Sequence, residues 1–213
     1  GQRHQGSTWH ITKQLLDALS SQAETEISEF WFDGNRACIG CFSCFKNGED
    51  TCPHYDENRD TMMALEAADV IIVQSPNYCM GMTGQLKIFM DHMAYRWMSH
   101  RPHPAMFGKV GVVISTTAGM GAGQVTKSLK QQLLYWGVAK VYQLPMAVNA
   151  MGWADVAEKV RSKIDKMVDK IAKKVLRSAG HTNPGFKTRF IFTMMSGMQS
   201  GNNWMLRDRE HWE

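Results

Sequence analysis

Two short aliphatic runs limit what this chain can become. One is Asp69 to Ser75, built on Val70, Ile71, Ile72 and Val73. The other is Lys109 to Thr117, built on Val110, Val112, Val113 and Ile114. Neither alternates polar with apolar residues, so each needs cover on both faces, as a strand of a parallel sheet does between two helix layers. The segments around them supply that cover. Helical patterns fall around Asn58 to Ala68, at Thr83 to Met98 (Leu86, Phe89, Met90, Met93, Trp97 on one side), at Val125 to Trp136 and at Ala154 to Ala179. Glu26 to Phe32 reads as an earlier strand and Ala139 to Met146 as the last one. Helices alternating with buried strands predict a doubly wound α/β fold, whose ligands sit at the carboxyl ends of the strands.

Three loops are candidates for that edge. Gly1 to Thr8 enters the helical pattern of Trp9, Ile11, Leu15, Leu16 and Leu19, with Ser7 or Thr8 as its expected N-cap. Free N–H groups and the helix dipole make such an N-terminus a phosphate seat. The bland reading is an ordinary capped helix. Ser75 to Met82 follows one aliphatic strand, and Ala118 to Gly123, rich in glycine, follows the other. Tyr78 taken alone is a half-buried tyrosine at a strand end, and Cys79 a small buried thiol. Met80, Met82, Met120, Met194 and Met195 either line a pliable pocket or fill gaps in the core.

Four of the five cysteines, Cys38, Cys41, Cys44 and Cys52, lie in one stretch spaced C-x2-C-x2-C-x7-C. Thiols gathered this closely favour a soft metal or a cluster over a disulfide framework. Structural zinc accepts four thiolates but more often pairs two knuckles across a longer gap, and a reduced, empty loop stays open as well. The eight histidines show no metal-ligand spacing, and His100-Arg101-Pro102-His103 reads as a surface loop.

Composition removes several classes. The 213 residues carry a net charge of +4, with no basic patch interleaved with aromatics, so nucleic acid is not an expected partner. The longest aliphatic run, Val70 to Val73, is far too short for a bilayer span. An odd cysteine count with four clustered, and a polar start, point to a reducing cytoplasm. The lysine-rich face of residues 154–179 reads as solvated helix surface. Gly180 to Gly185 marks a linker, giving a main domain of 1–179 and an extension of 180–213.

Taken together, the three loops resemble those of the flavodoxin-like, NAD(P)H-dependent FMN reductase family. Arg3, Gly6, Ser7 and Thr8 match its first loop, although Gly1 stands where the family usually has serine. Ser75, Pro76, Asn77 and Tyr78 match its second, with Leu86, Lys87, Phe89 and Asp91 in the helix that follows. Thr116, Thr117, Ala118 and Gly119 correspond to its third. The resemblance implies a five-stranded parallel sheet of order 2-1-3-4-5. The family's first strand is missing ahead of Gly1, so the sequence is expected to be an incomplete record of the natural chain.

The resemblance also implies FMN, its phosphate on Arg3, Gly6, Ser7 and Thr8 and its ring against Pro76, Asn77, Tyr78, Cys79, Met80, Thr116, Thr117, Ala118 and Gly119. NAD(P)H would be the hydride donor, with no side chain acting as nucleophile or acid. The acceptor would be a quinone, a nitro or azo compound, or free flavin. The cysteine spacing is similar to that of iron–sulfur flavoproteins, which implies a [4Fe–4S] cluster on Cys38, Cys41, Cys44 and Cys52 and ferredoxin as a partner in that case. A non-redox zinc module is the remaining alternative. Relatives are dimers or tetramers, so a homodimer or homotetramer is expected, with Phe186 to Met198, Trp204 and Trp212 facing a partner subunit. Glu210, His211 and Trp212 resemble an extension found in some members.

Overall fold

A computed structural model describes residues 3–213, without the side chain of Arg3. In chain order the regular elements are α1 (Ser7–Ser20), α2 (Ser43–Lys46), α3 (Tyr55–Ala67), β1 (Val70–Gln74), α4 (Gly84–His92), β2 (Val110–Thr117), α5 (Ala122–Tyr135), β3 (Lys140–Ala147), α6 (Glu158–Ser178), α7 (Phe186–Gln199) and α8 (Leu206–Trp212).

The two aliphatic runs are the strands β1 and β2 of a parallel sheet ordered β1-β2-β3. Val70 stands beside Val110, and Val110 beside Lys140. Residues 110–116 of β2 are all buried, because both faces of the central strand are covered. Val110, Val112 and Ile114 pack against Ile11 and Leu15 of α1 and against Ile164, Val168 and Ile171 of α6. Ile71, Val73 and Val113 pack on the other side against Leu86 and Phe89 of α4 and Val125, Leu129 and Leu133 of α5. Helix α5 lies very close to the sheet at Gly111, where an added Cβ would come within 2.9 Å of Leu133 Cδ1.

Several expectations change. Of the four strands expected within this sequence, three form a sheet among the described residues. Residues 26–32 form no strand: the segment runs without regular structure and mostly exposed. In the order 2-1-3-4-5 its neighbour would be the first strand. With no strand ahead of it among the described residues, its backbone has no ladder to join. It is held by side chains instead, Phe32 stacking on Phe89 with ring centroids 4.4 Å apart.

Helix α4 ends at His92, short of Met98, and a 3-10 turn follows at Ala94–Arg96. Tertiary bonds draw the chain out of the helix: Met98 N–H donates to the Tyr135 carbonyl at 2.6 Å, and Trp97 Nε1 donates to Gln132 Oε1 at 3.1 Å. Helix α6 likewise starts at Glu158 rather than Ala154. The Arg161 guanidinium donates to the carbonyls of Trp153, Ala154 and Val156 and holds them outside the helix. The expected lysine face of α6 is exposed at Lys159, Lys163, Lys166, Lys170, Lys173 and Lys174.

Candidate functional site

The N-terminus of α1 and the loops after β1 and β2 meet at the carboxyl edge of the sheet. Thr8 Oγ1 and Thr116 Oγ1 share a buried hydrogen bond of 2.6 Å, which ties the first loop to the third. Thr12 Oγ1 donates to Gln74 Oε1 at 2.8 Å and anchors α1 to the end of β1. The second loop is tied to the third twice: Asn77 N–H donates to the Thr116 carbonyl at 2.8 Å, and Asn77 Nδ2 donates to the Met120 carbonyl at 2.9 Å. Gly121 makes that approach achievable. At φ +100° its missing side chain leaves room for Asn77 Nδ2, which would stand 2.5 Å from an added Cβ.

The second loop folds back on itself. Tyr78 and Gly81 exchange both backbone hydrogen bonds at 2.9 Å, and the two residues between them, Cys79 and Met80, have φ of 48° and 64°. That is the geometry of a primed turn normally built from glycine or asparagine. Two such residues in left-handed conformation store strain, which persists only where the surroundings enforce it. Buried Ser75 contributes: its Oγ accepts from the Thr83 amide at 2.9 Å.

The edge presents unpaired polar groups. The N-cap of α1 is Gly6, not Ser7 or Thr8, and it has no side chain to satisfy the first turn. The amides of Ser7, Thr8 and Trp9 therefore point outward with no intrahelical acceptor. Among the described residues no backbone acceptor takes the amides of Cys79, Met80, Ala118, Gly119 or Met120. One acceptor is orphaned as well: Asn77 Oδ1 is buried and without a partner. Such a set of donors around one acceptor fits an anionic tail and the polar edge of a flat heterocycle.

Of the expected site residues, Thr8, Asn77 and Thr116 are directly bonded to one another's loops. Pro76, Tyr78 and Met80 lie on the second loop, and Thr117, Ala118 and Gly119 on the third. Tyr78 is 51% exposed, more open than a half-buried strand-end tyrosine. Cys79 is exposed rather than buried, because the turn projects it outward. Met120, 77% exposed, supplies an apolar rim. The side chain of Arg3 lies outside the described residues. Met194 is on an exposed face of α7.

The cysteine stretch forms a loop around α2 and a 3-10 turn, Glu49–Thr51, with left-handed residues at Gly40, Phe42 and Gly48. All four thiols are free, Cys38 and Cys41 exposed, Cys44 and Cys52 half-buried. Burial pushes the Cys44 thiol up to about 11, and the neighbouring Cys52, Cys38 and Cys41 add to the rise. A four-thiol donor set would suit a [4Fe–4S] cluster, one thiolate to each iron, and would equally suit a zinc ion. Among the described residues no three histidine, cysteine or carboxylate groups are gathered at one point, so the thiols are not drawn together around a common centre in this structure.

Residues 100–103 are not a plain surface loop. Arg101 and Pro102 are buried, and Arg101 is paired with fully buried Asp208. Sequence reasoning missed both. The only signal was a charged residue flanked by histidines and proline, which reads more simply as solvated turn. His92, also passed over, has Nδ1 3.9 Å from Cys52 Sγ.

A parallel sheet between two helix layers, with unpaired amides at its carboxyl edge beside a helix N-terminus, defines a flavodoxin-like protein. The chain belongs to the NADPH-dependent FMN reductase family, which it matches over residues 1–152. It is 29% identical over 134 residues to an iron-sulfur flavoprotein of Archaeoglobus fulgidus, covering 60% of this chain and 58% of that one. It is 31% identical over 130 residues to an iron-sulfur flavoprotein of Methanocaldococcus jannaschii, covering 58% and 62%. The chain thus spans less than two thirds of the length of either relative. The apo structure of an NADH:FMN oxidoreductase shares the fold, with a TM-score of 0.57 and 16% identity over 87% of this chain and 90% of that one. No helix among the described residues is long and apolar enough to cross a membrane.

Proposed function

We propose that the protein is an FMN-dependent oxidoreductase that takes hydride from NAD(P)H and passes the electrons to a small acceptor, a quinone, a nitro or azo compound, or free flavin. The observation that carries this reading is the set of unpaired amides around orphaned Asn77 Oδ1, on loops cross-linked through Thr8 and Thr116. FMN, when bound, supplies the hydride-accepting chemistry. The amides of Ser7 to Trp9, with Arg3, Gly6 and the hydroxyls of Ser7 and Thr8, would hold its phosphate. Asn77 Oδ1 would accept from a polar N–H of the ring system, and the amides of Cys79, Met80 and Ala118 to Met120 would donate to it. Pro76, Tyr78 and Thr117 would line its sides. These groups orient the ring and set the polarity around it; no side chain needs to carry a proton.

A second reading, an iron–sulfur flavoprotein with a [4Fe–4S] cluster on Cys38, Cys41, Cys44 and Cys52, is supported by four free thiols in one short loop and by the relatives' names. Its one-electron partner would be a ferredoxin. The absorption spectrum of anaerobically purified protein separates the readings. Two flavin bands alone favour the first, a further dithionite-bleachable shoulder favours the second, and a colourless, zinc-containing protein would refute both. Turnover of NADH or NADPH with a quinone then tests the first directly.

Five free cysteines support a reducing compartment such as the cytoplasm. A homodimer or homotetramer is supported by α7, whose Phe186, Phe190, Met194 and Met198 are exposed at four-residue spacing. About an antiparallel two-fold midway between Thr193 and Met194, Phe190 would face Gly197 of a second copy and Phe186 would face Gly201. Both glycines have open space around them. Light scattering showing a clean monomer would remove this reading.

A further inference from the structure

Helix α8 lies beyond residues 1–152, yet it reaches back to the cysteine loop. Its Asp208 is 0% exposed. A carboxylate in that position needs polar partners, and two supply them: the Arg101 guanidinium, whose Nη1 donates to Oδ1, and His100, whose Nδ1 lies 2.7 Å from Oδ2. The other arm of Arg101 reaches the cysteine loop. Its Nη2 donates to the Cys44 carbonyl at 2.6 Å and to Glu49 Oε2 at 3.3 Å. These two acceptors lie on α2 and on the 3-10 turn, the two pieces of structure between the third and fourth cysteines. Arg96 holds the remaining Glu49 oxygen at 3.3 Å. Further contacts lock α8 to the same place: Trp212 Nε1 donates to the His100 carbonyl at 2.5 Å, and His211 Nε2 lies 3.1 Å from the Pro102 carbonyl. Arg207 lies over Gly48, its Nη2 3.2 Å from where a Cβ would stand.

We propose that Asp208 is a positioning residue: through Arg101 it clasps the cysteine loop, so that the C-terminal helix sets the arrangement of Cys44 and Cys52. The guanidinium is planar and its donors are fixed in direction. Held at one end by a buried carboxylate, it places the Cys44 carbonyl and Glu49 at the other. With the clasp released, the loop has no regular structure longer than the four residues of α2 to keep it folded. The clasp requires no cluster, but whatever binds the four thiols meets a loop already shaped. Only this last consequence rests on the iron–sulfur reading.

The test is hydrogen–deuterium exchange of the full reduced chain, comparing peptides from 41–52 with peptides from β2. D208N and R101Q should each speed exchange in 44–51 at least tenfold while β2 stays unchanged. The R101Q/D208N double variant should be no faster than either single one, because the pair acts as a unit. L129A, destabilised in the core, is the control and should not single out the loop. Unchanged exchange in 44–51, equal acceleration of β2, or additive effects in the double variant would each overturn the proposal. Reconstitution with ferrous iron and sulfide separates it from the cluster reading. If the natural chain retains iron and D208N retains at least fivefold less, both stand. If D208N retains as much, the clasp does not shape the thiol site and the proposal falls. If the natural chain retains none while D208N loosens the loop, the clasp stands and the cluster reading falls.

Discussion

Replacing Gly121 with alanine should damage FMN binding far more than its size suggests. Two costs follow from the geometry. A methyl group at φ +100° puts an ordinary residue in left-handed conformation, at a cost of about 1–2 kcal/mol. That methyl would also stand 2.5 Å from Asn77 Nδ2 and 2.9 Å from Met80 Sδ. Asn77 must move, and its bond to the Met120 carbonyl is lost, about 1 kcal/mol more. The sum is roughly 2–3 kcal/mol. In the ligand-free protein the exposed loop relaxes, so much of this cost reappears when binding re-forms it. The dissociation constant for FMN should then rise between about tenfold and a hundredfold, at 1.4 kcal/mol for each factor of ten. Gly108→Ala, ahead of β2 and away from the three loops, is the control: it has nothing within 4 Å and no left-handed φ. Its effect should stay within about 0.5 kcal/mol. Titration of the quenching of FMN fluorescence measures both. If G121A binds FMN as tightly as the natural chain, the contact between the second and third loops does not shape the site and the reasoning is wrong.

Other outcomes follow from the same structure. T116V should destabilise the fold by about 1–3 kcal/mol in urea melts, because it strands the buried Thr8 hydroxyl, while T8V/T116V together should cost less than T116V alone. G111A should cost about 1–3 kcal/mol by pushing Leu133 and Val141 away from the sheet, and an unchanged melt would contradict the close packing of α5. Burial holds His211 and His10 below their ordinary 6.5, Arg101 and Arg161 respectively adding to the effect. In the window just below pH 6.5 the unfolded chain binds protons that the folded chain resists, so stability is full above that pH and falls as acid is added. Urea melts at pH 7.5, 6.5 and 5.5 should show the fall, and an equally steep fall in H10Q/H211Q would refute the assignment. F190D should shift the light-scattering mass to that of a monomer if α7 pairs with a second copy.

Sequence and structure divided the work unevenly. Pattern located β1, β2 and β3 to within a residue or two: β1 and β2 are aliphatic runs, the central β2 buried on both faces, whereas β3 carries a mixed sequence only partly buried. The three loops were legible from their positions after those strands. Residues 26–32 misled, because alternation and aromatic content describe a strand's side chains and not whether a neighbouring backbone is present to bond. Cys79 misled because small thiols usually sink into cores, whereas a primed turn turns this one outward.

By itself the sequence determined the layers of the fold, the family and the clustering of four thiols, all properties of local pattern and spacing. The tertiary structure decided what holds those parts in place. Thr8 meets Thr116 across 108 positions, and Arg101 meets Asp208 across 107. Pairings at that range leave no periodic trace. A buried carboxylate is marked only by the cation that folding brings to it, and the three candidate loops become one site only when Asn77 and the hydroxyls of Thr8 and Thr116 join them.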